Sequence, residues 1–124
     1  MNKEQRIEER RRSAVEELMA IRSMRKGTVN EQWFPVVRDG KKTGELRGPY
    51  YVHSYKVGKK SVSARLKSEA AVLRAQGDTE NHRRFKALCT EFEELTEQLG
   101  LLERDAASEE VKKGLKSRSG KAGK

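Results

Sequence analysis

Apolar and polar positions change their rhythm three times along the chain. In residues 3–25, Ile7, Ala14, Leu18 and Ile21 recur at spacings of seven, four and three, with Glu and Arg on the other faces. No Gly or Pro interrupts this stretch before Gly27, so the spacing predicts an amphipathic helix over 3–25. From Thr28 the residues are strand formers: Val29, Trp33, Phe34, Val36 and Val37. Pro35 among them predicts an edge strand or a bulge, because proline cannot donate to a ladder. Asp39-Gly40 is a tight-turn signal. The following Lys41-Lys42-Thr43-Gly44 is polar and reads as an exposed basic loop.

Residues 50–66 carry the clearest pattern. Gly48-Pro49 marks a strand entry, and Gly58-Lys59 is a two-residue turn with glycine first. A hairpin centred there pairs Tyr55 with Val62, His53 with Ala64 and Tyr51 with Leu66. Alternation places those six on one largely apolar face, expected to face the helices. The other face then carries Val52, Ser54 and Lys56 opposite Arg65, Ser63 and Ser61, with Lys59 and Lys60 at the tip. One register sorts core from charge on both strands.

Beyond the hairpin, residues 67–76 suit a short helix that Gly77 stops, with Asp78 or Thr79 capping the next. Phe85, Leu88, Phe92, Leu95, Leu99 and Leu102 then alternate spacings of three and four, an a/d seam over 79–103. Its simplest partner is the first helix, antiparallel, in cis or across a dimer, with the sheet at one end. Residues 105–124 are rich in Gly, Ser and Lys and predict a disordered basic tail. The fold class is therefore α+β. It comprises a long N-terminal helix, a small antiparallel meander, a short helix and a long coiled-coil-like helix. One domain spans 1–104.

Composition narrows the function classes. The chain has 124 residues, 34% hydrophobic and 38% charged, which favours one modest core with exposed helices over a dense globule. No run approaches a membrane helix, and MNKEQRIEERRR is charged where a signal peptide is apolar, so a cytoplasmic location is expected. Cys89 is the single cysteine, which excludes an internal disulfide and any multi-cysteine zinc site.

The net charge of +9 is unevenly spread. Residues 25–67 hold eleven basic and three acidic groups, whereas residues 68–104 are net acidic. A local excess of this kind marks an anion-binding surface rather than general solubility. Arg10-Arg11-Arg12 has five acids near it and reads as a solvated helix face.

Met24-Arg25-Lys26-Gly27-Thr28, then Gly48-Pro49-Tyr50-Tyr51, the Gly58-Lys59 turn and His82-Arg83-Arg84-Phe85 opening a Leu-rich helix form an ordered set. Over roughly residues 15–100 the chain resembles a small bacterial domain family of unknown function, often encoded near transposases and other mobile-element genes. The resemblance implies this architecture and a mobile-element setting, and it implies no activity. Many members hold a cysteine-rich knuckle before Gly-Pro-Tyr-Tyr. Here that position reads Val37-Arg38-Asp39-Gly40-Lys41-Lys42, without cysteine, so their metal-binding role is not implied.

Catalytic chemistry finds little material. His53 falls on the inner hairpin face and reads as a packed core residue, and His82 reads as exposed. Cys89 lies beside the helical seam and reads as a small buried hydrophobe. Glu91, Glu93, Glu94 and Glu97 sit on a solvated flank. No phosphate loop, paired-histidine motif or nucleophile elbow occurs. No enzyme activity, catalytic residue, metal, cofactor or small-molecule substrate is expected.

The expected partner is nucleic acid, DNA ahead of RNA. The expected contacts are to phosphates from Lys41, Lys42, Arg47, Lys56, Lys59, Lys60, Arg65 and Lys67. Tyr50 has a ring for stacking, although packing on a helix is the simpler expectation for it. The rival expectation is a protein–protein adaptor or inhibitor acting through the helical seam. A helix-mediated homodimer reconciles the two, since it presents two basic hairpins.

Overall fold

The computed structural model describes residues 1–122, with side chains through Gly114. Its elements in order are α1 (Lys3–Ala20), β1 (Thr28–Arg38), β2 (Lys41–Val57), β3 (Lys60–Leu66) and α2 (Glu69–Ala122). They form two compact units: residues 1–20 with the chain from Lys86 onward, and Ile21–Phe85.

In the first unit, α1 opens with a reciprocal cap. The Gln5 N–H donates to Asn2 Oδ1 at 2.8 Å, and the Asn2 N–H donates to Gln5 Oε1 at 3.1 Å. Ile7 and Ala14 on α1, and Leu88 and Leu99 on α2, are buried, while Phe92, Leu95 and Leu102 are half-buried. The helices are tied by Arg10, whose Nε and Nη2 donate to Glu91 at 2.9 and 2.5 Å. Its Nη1 lies 3.1 Å from Glu17. Arg11 donates to Thr96 Oγ1 at 3.2 Å, and its guanidinium lies 5.0 Å from the Phe92 ring centroid. Of the expected seam, Leu88 and Leu99 are thus buried within the chain, and Phe85, Phe92, Leu95 and Leu102 are only partly covered. Cys89, expected to be buried, is exposed one position off that seam.

In the second unit the three strands form an antiparallel meander in the order β1-β2-β3. The predicted hairpin register holds, with Tyr51 opposite Leu66, His53 opposite Ala64 and Tyr55 opposite Val62. Gly58, at φ +63, takes the first turn position, where a side chain would be strained. Pro35 lies on edge strand β1, as its missing donor requires. Lys41 to Gly44, expected as a loop, belong to β2: Lys41 pairs with Arg38 and Lys42 with Val37. Their polarity is compatible with a strand because both faces there are exposed. β2 bulges twice against β1, around Gly48-Pro49 opposite Trp33 and around Thr43 to Glu45 opposite Val36.

Three helix boundaries differ from expectation. α1 ends at Ala20 instead of residue 25, because residues 21–26 bond to other elements. The Arg25 N–H donates to the Asp78 carbonyl at 3.0 Å, and Asn81 Nδ2 donates to the Ser23 carbonyl at 2.9 Å. Gly77 does not stop a helix, so the short helix over 67–76 and the one over 79–103 are both parts of α2. One glycine costs a helix only about 1 kcal/mol. Asp78 and Thr79 cap nothing. Asp78 accepts from Ser23 Oγ at 2.6 Å and lies 3.0 Å from Arg25 Nε, and Thr79 Oγ1 donates back to the Ala75 carbonyl at 3.0 Å. The third boundary is the C-terminal stretch. Residues 105–122, expected to be disordered, continue α2, and Gly123 and Lys124 lie outside the described residues. Ala106, Ala107, Glu109, Glu110, Lys112 and Lys113 are strong helix formers, and no proline follows Pro49.

His53 is buried, as predicted. Its Nε2 lies 2.8 Å from the Lys26 carbonyl, and its ring stacks on Tyr55 at 4.9 Å. Gly27, at φ +105, passes so close to β2 that a β-carbon there would collide with the Ser54 carbonyl. His82, expected to be exposed at a helix start, is half-buried inside α2.

Candidate nucleic-acid interface

All eight cations singled out from the sequence are exposed. Among the described residues, none of them is in a salt bridge, whereas Arg10, Arg25, Arg74 and Arg83 are. The meander does not gather the eight into one cluster. Lys41 and Lys42 follow the β1–β2 turn at Asp39-Gly40, while Lys56, Lys59 and Lys60 surround the opposite turn at Gly58-Lys59. Residues 41–54 of β2 span only the ten steps of β1 from residue 28 to 38, so with three more steps to Val57 these ends lie roughly 40 Å apart at ~3.3 Å per residue.

Between the two ends lie Arg47 and Arg65. Strand pairing sets Gln32 opposite Tyr50, Phe34 opposite Arg47 and Val52 opposite Arg65. Alternation therefore brings these six residues to one face, where they line a groove of about 410 Å³. Its floor is aromatic and aliphatic. The Phe34 and Tyr50 rings are 5.5 Å apart and tilted by 55°. The Arg65 guanidinium lies 4.2 Å from the Tyr50 centroid, within cation–π range. Val52, expected on a solvated face, is buried on the groove side. Tyr50, expected to pack on a helix, is half-buried against Phe34 and Arg65.

The remaining cations divide by parity. Lys56 shares the Arg65 face, and Lys60 points to the opposite one, with Tyr55 and Val62. Lys67, just past β3, lines a second groove of about 750 Å³ with Leu66, Val72 and Leu73. The predicted interface is thus two lysine-rich ends with an arginine–aromatic centre.

Sequence reasoning missed Phe34, Gln32 and Val52 as companions of Arg47 and Arg65. A signal existed in the dense aromatic content of residues 33–34 and 50–51 beside basic residues. Only the bulged β1–β2 register brings those residues together, and alternation within one strand does not reveal it.

Among the described residues, no group of His, Cys, Asp and Glu is arranged to hold a metal ion. No helix among them is long and apolar enough to cross a membrane. No family model, curated protein or solved structure matches the chain.

Proposed function

We propose that the meander binds nucleic acid, contacting phosphates through cations spread along β2 and β3. One observation carries the reading: eight exposed cations lie on or beside one small sheet, and among the described residues none is in a salt bridge, while Arg10, Arg25, Arg74 and Arg83 are. Unpaired surface cations exchange their counterions for phosphates at little desolvation cost, and each phosphate neutralised releases about one condensed ion. The Arg65–Tyr50 pair adds a flat surface that phosphate contacts alone do not need. An accessory role in a mobile element is the setting that the family resemblance implies.

The adaptor reading needs an uncovered helical seam. The burial of Ile7, Ala14, Leu88 and Leu99 within one chain leaves less of it to offer.

The test titrates the full chain with duplex and single-stranded nucleic acid at two salt concentrations. Neutralising Lys59, Lys60 and Arg65 together should weaken binding similarly across sequences. The log–log salt dependence should flatten by roughly 2–3 units. Neutralising Arg10, Arg11 and Arg12 should do less, since Arg10 already engages Glu91 and Glu17. A folded triple variant with unchanged affinity and salt slope would refute the proposal.

A further inference from the structure

Two grooves on the second unit meet at one pair of side chains. The first is walled by Phe34, Pro35, Val37 and Arg47. The second runs past Leu66 and Lys67 to Val72 and Leu73 of α2. Tyr50 and Arg65 line both, so the two form one track with an aromatic–arginine ridge in its middle.

We infer that this track seats an unpaired strand of DNA, with a base against Phe34 and Tyr50 and its phosphates on Arg47, Arg65 and Lys67. The inference rests on the nucleic-acid reading above and narrows it from nucleic acid in general to a single strand of DNA.

Three observations carry it. First, the floor of the first groove presents ring faces and aliphatic walls, not a row of donors and acceptors. Such a floor reads the faces of bases, which a duplex keeps stacked and out of reach, while base edges are read by hydrogen-bonding groups. Phe34 is 50% exposed, so one of the rings is available without rearrangement. At about 410 Å³ the first groove is also within the range that holds a small flat ligand.

Second, the cations sit where a backbone would run. Arg47 lies at one end of the track, Arg65 at the ridge and Lys67 beyond it. Arg65 is doubly suited, since a guanidinium both stacks on an aromatic face and forks onto a phosphate. The start of α2 adds no phosphate contact to this scheme. Glu69 stands in its first turn, and Ser68 Oγ already accepts the Ala71 N–H at 3.0 Å.

Third, the walls of the first groove, where the base is seated, favour deoxyribose. Pro35, Val36, Val37 and Val52 offer no side-chain acceptor to a 2′-hydroxyl, and burying that hydroxyl unpaired is unfavourable. Gln32 is the one amide lining the first groove, whereas the second also holds Ser68, Glu69 and Gln76.

The experiment measures binding of the full chain to oligothymidylate, to oligouridylate of equal length and to a duplex of equal length. It compares the wild type with Phe34→Leu and with Phe34→Leu/Tyr50→Leu, each checked for fold by circular dichroism. Oligothymidylate should bind about tenfold tighter than the duplex. The double variant should lose roughly tenfold or more of that affinity, as expected for one lost base–aromatic stack. Its duplex affinity and salt slope should not change. If the double variant is unfolded, Phe34→Leu alone, at a half-exposed position, should still lower oligothymidylate affinity several-fold. Equal binding of strand and duplex, unaffected by either variant, would overturn the inference and leave phosphate binding intact. Oligouridylate binding as tightly as oligothymidylate would overturn the assignment to DNA. A dimer in sedimentation that Phe34→Leu dissociates would give the groove to a second copy and overturn it too. Failure to bind any of the three at low salt would overturn the nucleic-acid reading itself.

Discussion

Arg65 holds its guanidinium 4.2 Å from the centroid of the Tyr50 ring, so a charge and an aromatic face are presented as one unit. The pair is cross-strand but not directly opposite: Arg65 faces Val52, and Tyr50 lies diagonally from it on the same side. Lysine at this position keeps the charge and loses the planar stack. Arg65→Lys should therefore weaken single-strand binding several-fold with an unchanged salt slope. Arg65→Gln should flatten that slope by about 0.7 per lost phosphate contact on a single strand. Fluorescence anisotropy across a salt series separates the two outcomes.

Asp78 should be the costliest polar residue to lose in the second unit. Its side chain is 5% exposed and holds Ser23 and Arg25, which steer the chain from α1 towards β1. Asp78→Ala removes both contacts at once and should cost about 2–4 kcal/mol. Arg74→Ala should be close to neutral, because its 3.7 Å contact to Asp78 is long and the arginine is largely exposed. Thermal melts of the two variants check the ranking.

Arg10 donates to both Glu91 oxygens, and these hydrogen bonds hold the Glu91 carboxyl below its ordinary range against an opposing burial effect. A lowered folded-state value means the stabilisation is present above the unfolded carboxylate value of about 4.3 and disappears as pH falls through the folded one. Glu91→Gln should therefore lower the melting temperature at neutral pH. The gap to the wild type should close as pH drops below about 4. A gap that stays constant into acid would show that the charge on Glu91 contributes nothing.

Leu88 and Phe92 occupy neighbouring seam positions but differ in burial. Leu88 is buried, while Phe92 is half-buried beneath the Arg11 guanidinium. Leu88→Ala should cost about 2–4 kcal/mol, and Phe92→Ala less than the roughly 3–5 kcal/mol of a fully buried phenylalanine. Phe92→Lys should leave the sedimentation of the chain unchanged if α1 and α2 are partners within one copy. Dissociation of a dimer by that variant would place the seam between copies.

Features set by neighbouring residues were readable in advance. The Gly58-Lys59 turn and strict alternation on both sides of it determine the β2–β3 register, because a one-residue slip would turn every side chain to the wrong face. The same logic put His53 inside and Pro35 on an edge. The basic surplus of residues 25–67 was legible from composition alone, since exposed lysines need no particular fold to be exposed.

What the tertiary structure decided lies where local preference was weak or contested. Gly77 reads as a helix stop, yet its cost of about 1 kcal/mol is small beside what its neighbours gain: Ala75, Asp78 and Thr79 are all buried once α2 runs through. Residues 21–25 read as helix, yet Ser23 and Arg25 find partners on Asp78 and Asn81 that a continued α1 would forgo. The groove belongs to the same class. Phe34, Arg47, Tyr50 and Arg65 come from three strands, and the bulge at Gly48-Pro49 shifts the pairing between them. The period-two pattern determines which face each residue takes within its own strand, but long-range pairing determines which residues on that face become neighbours.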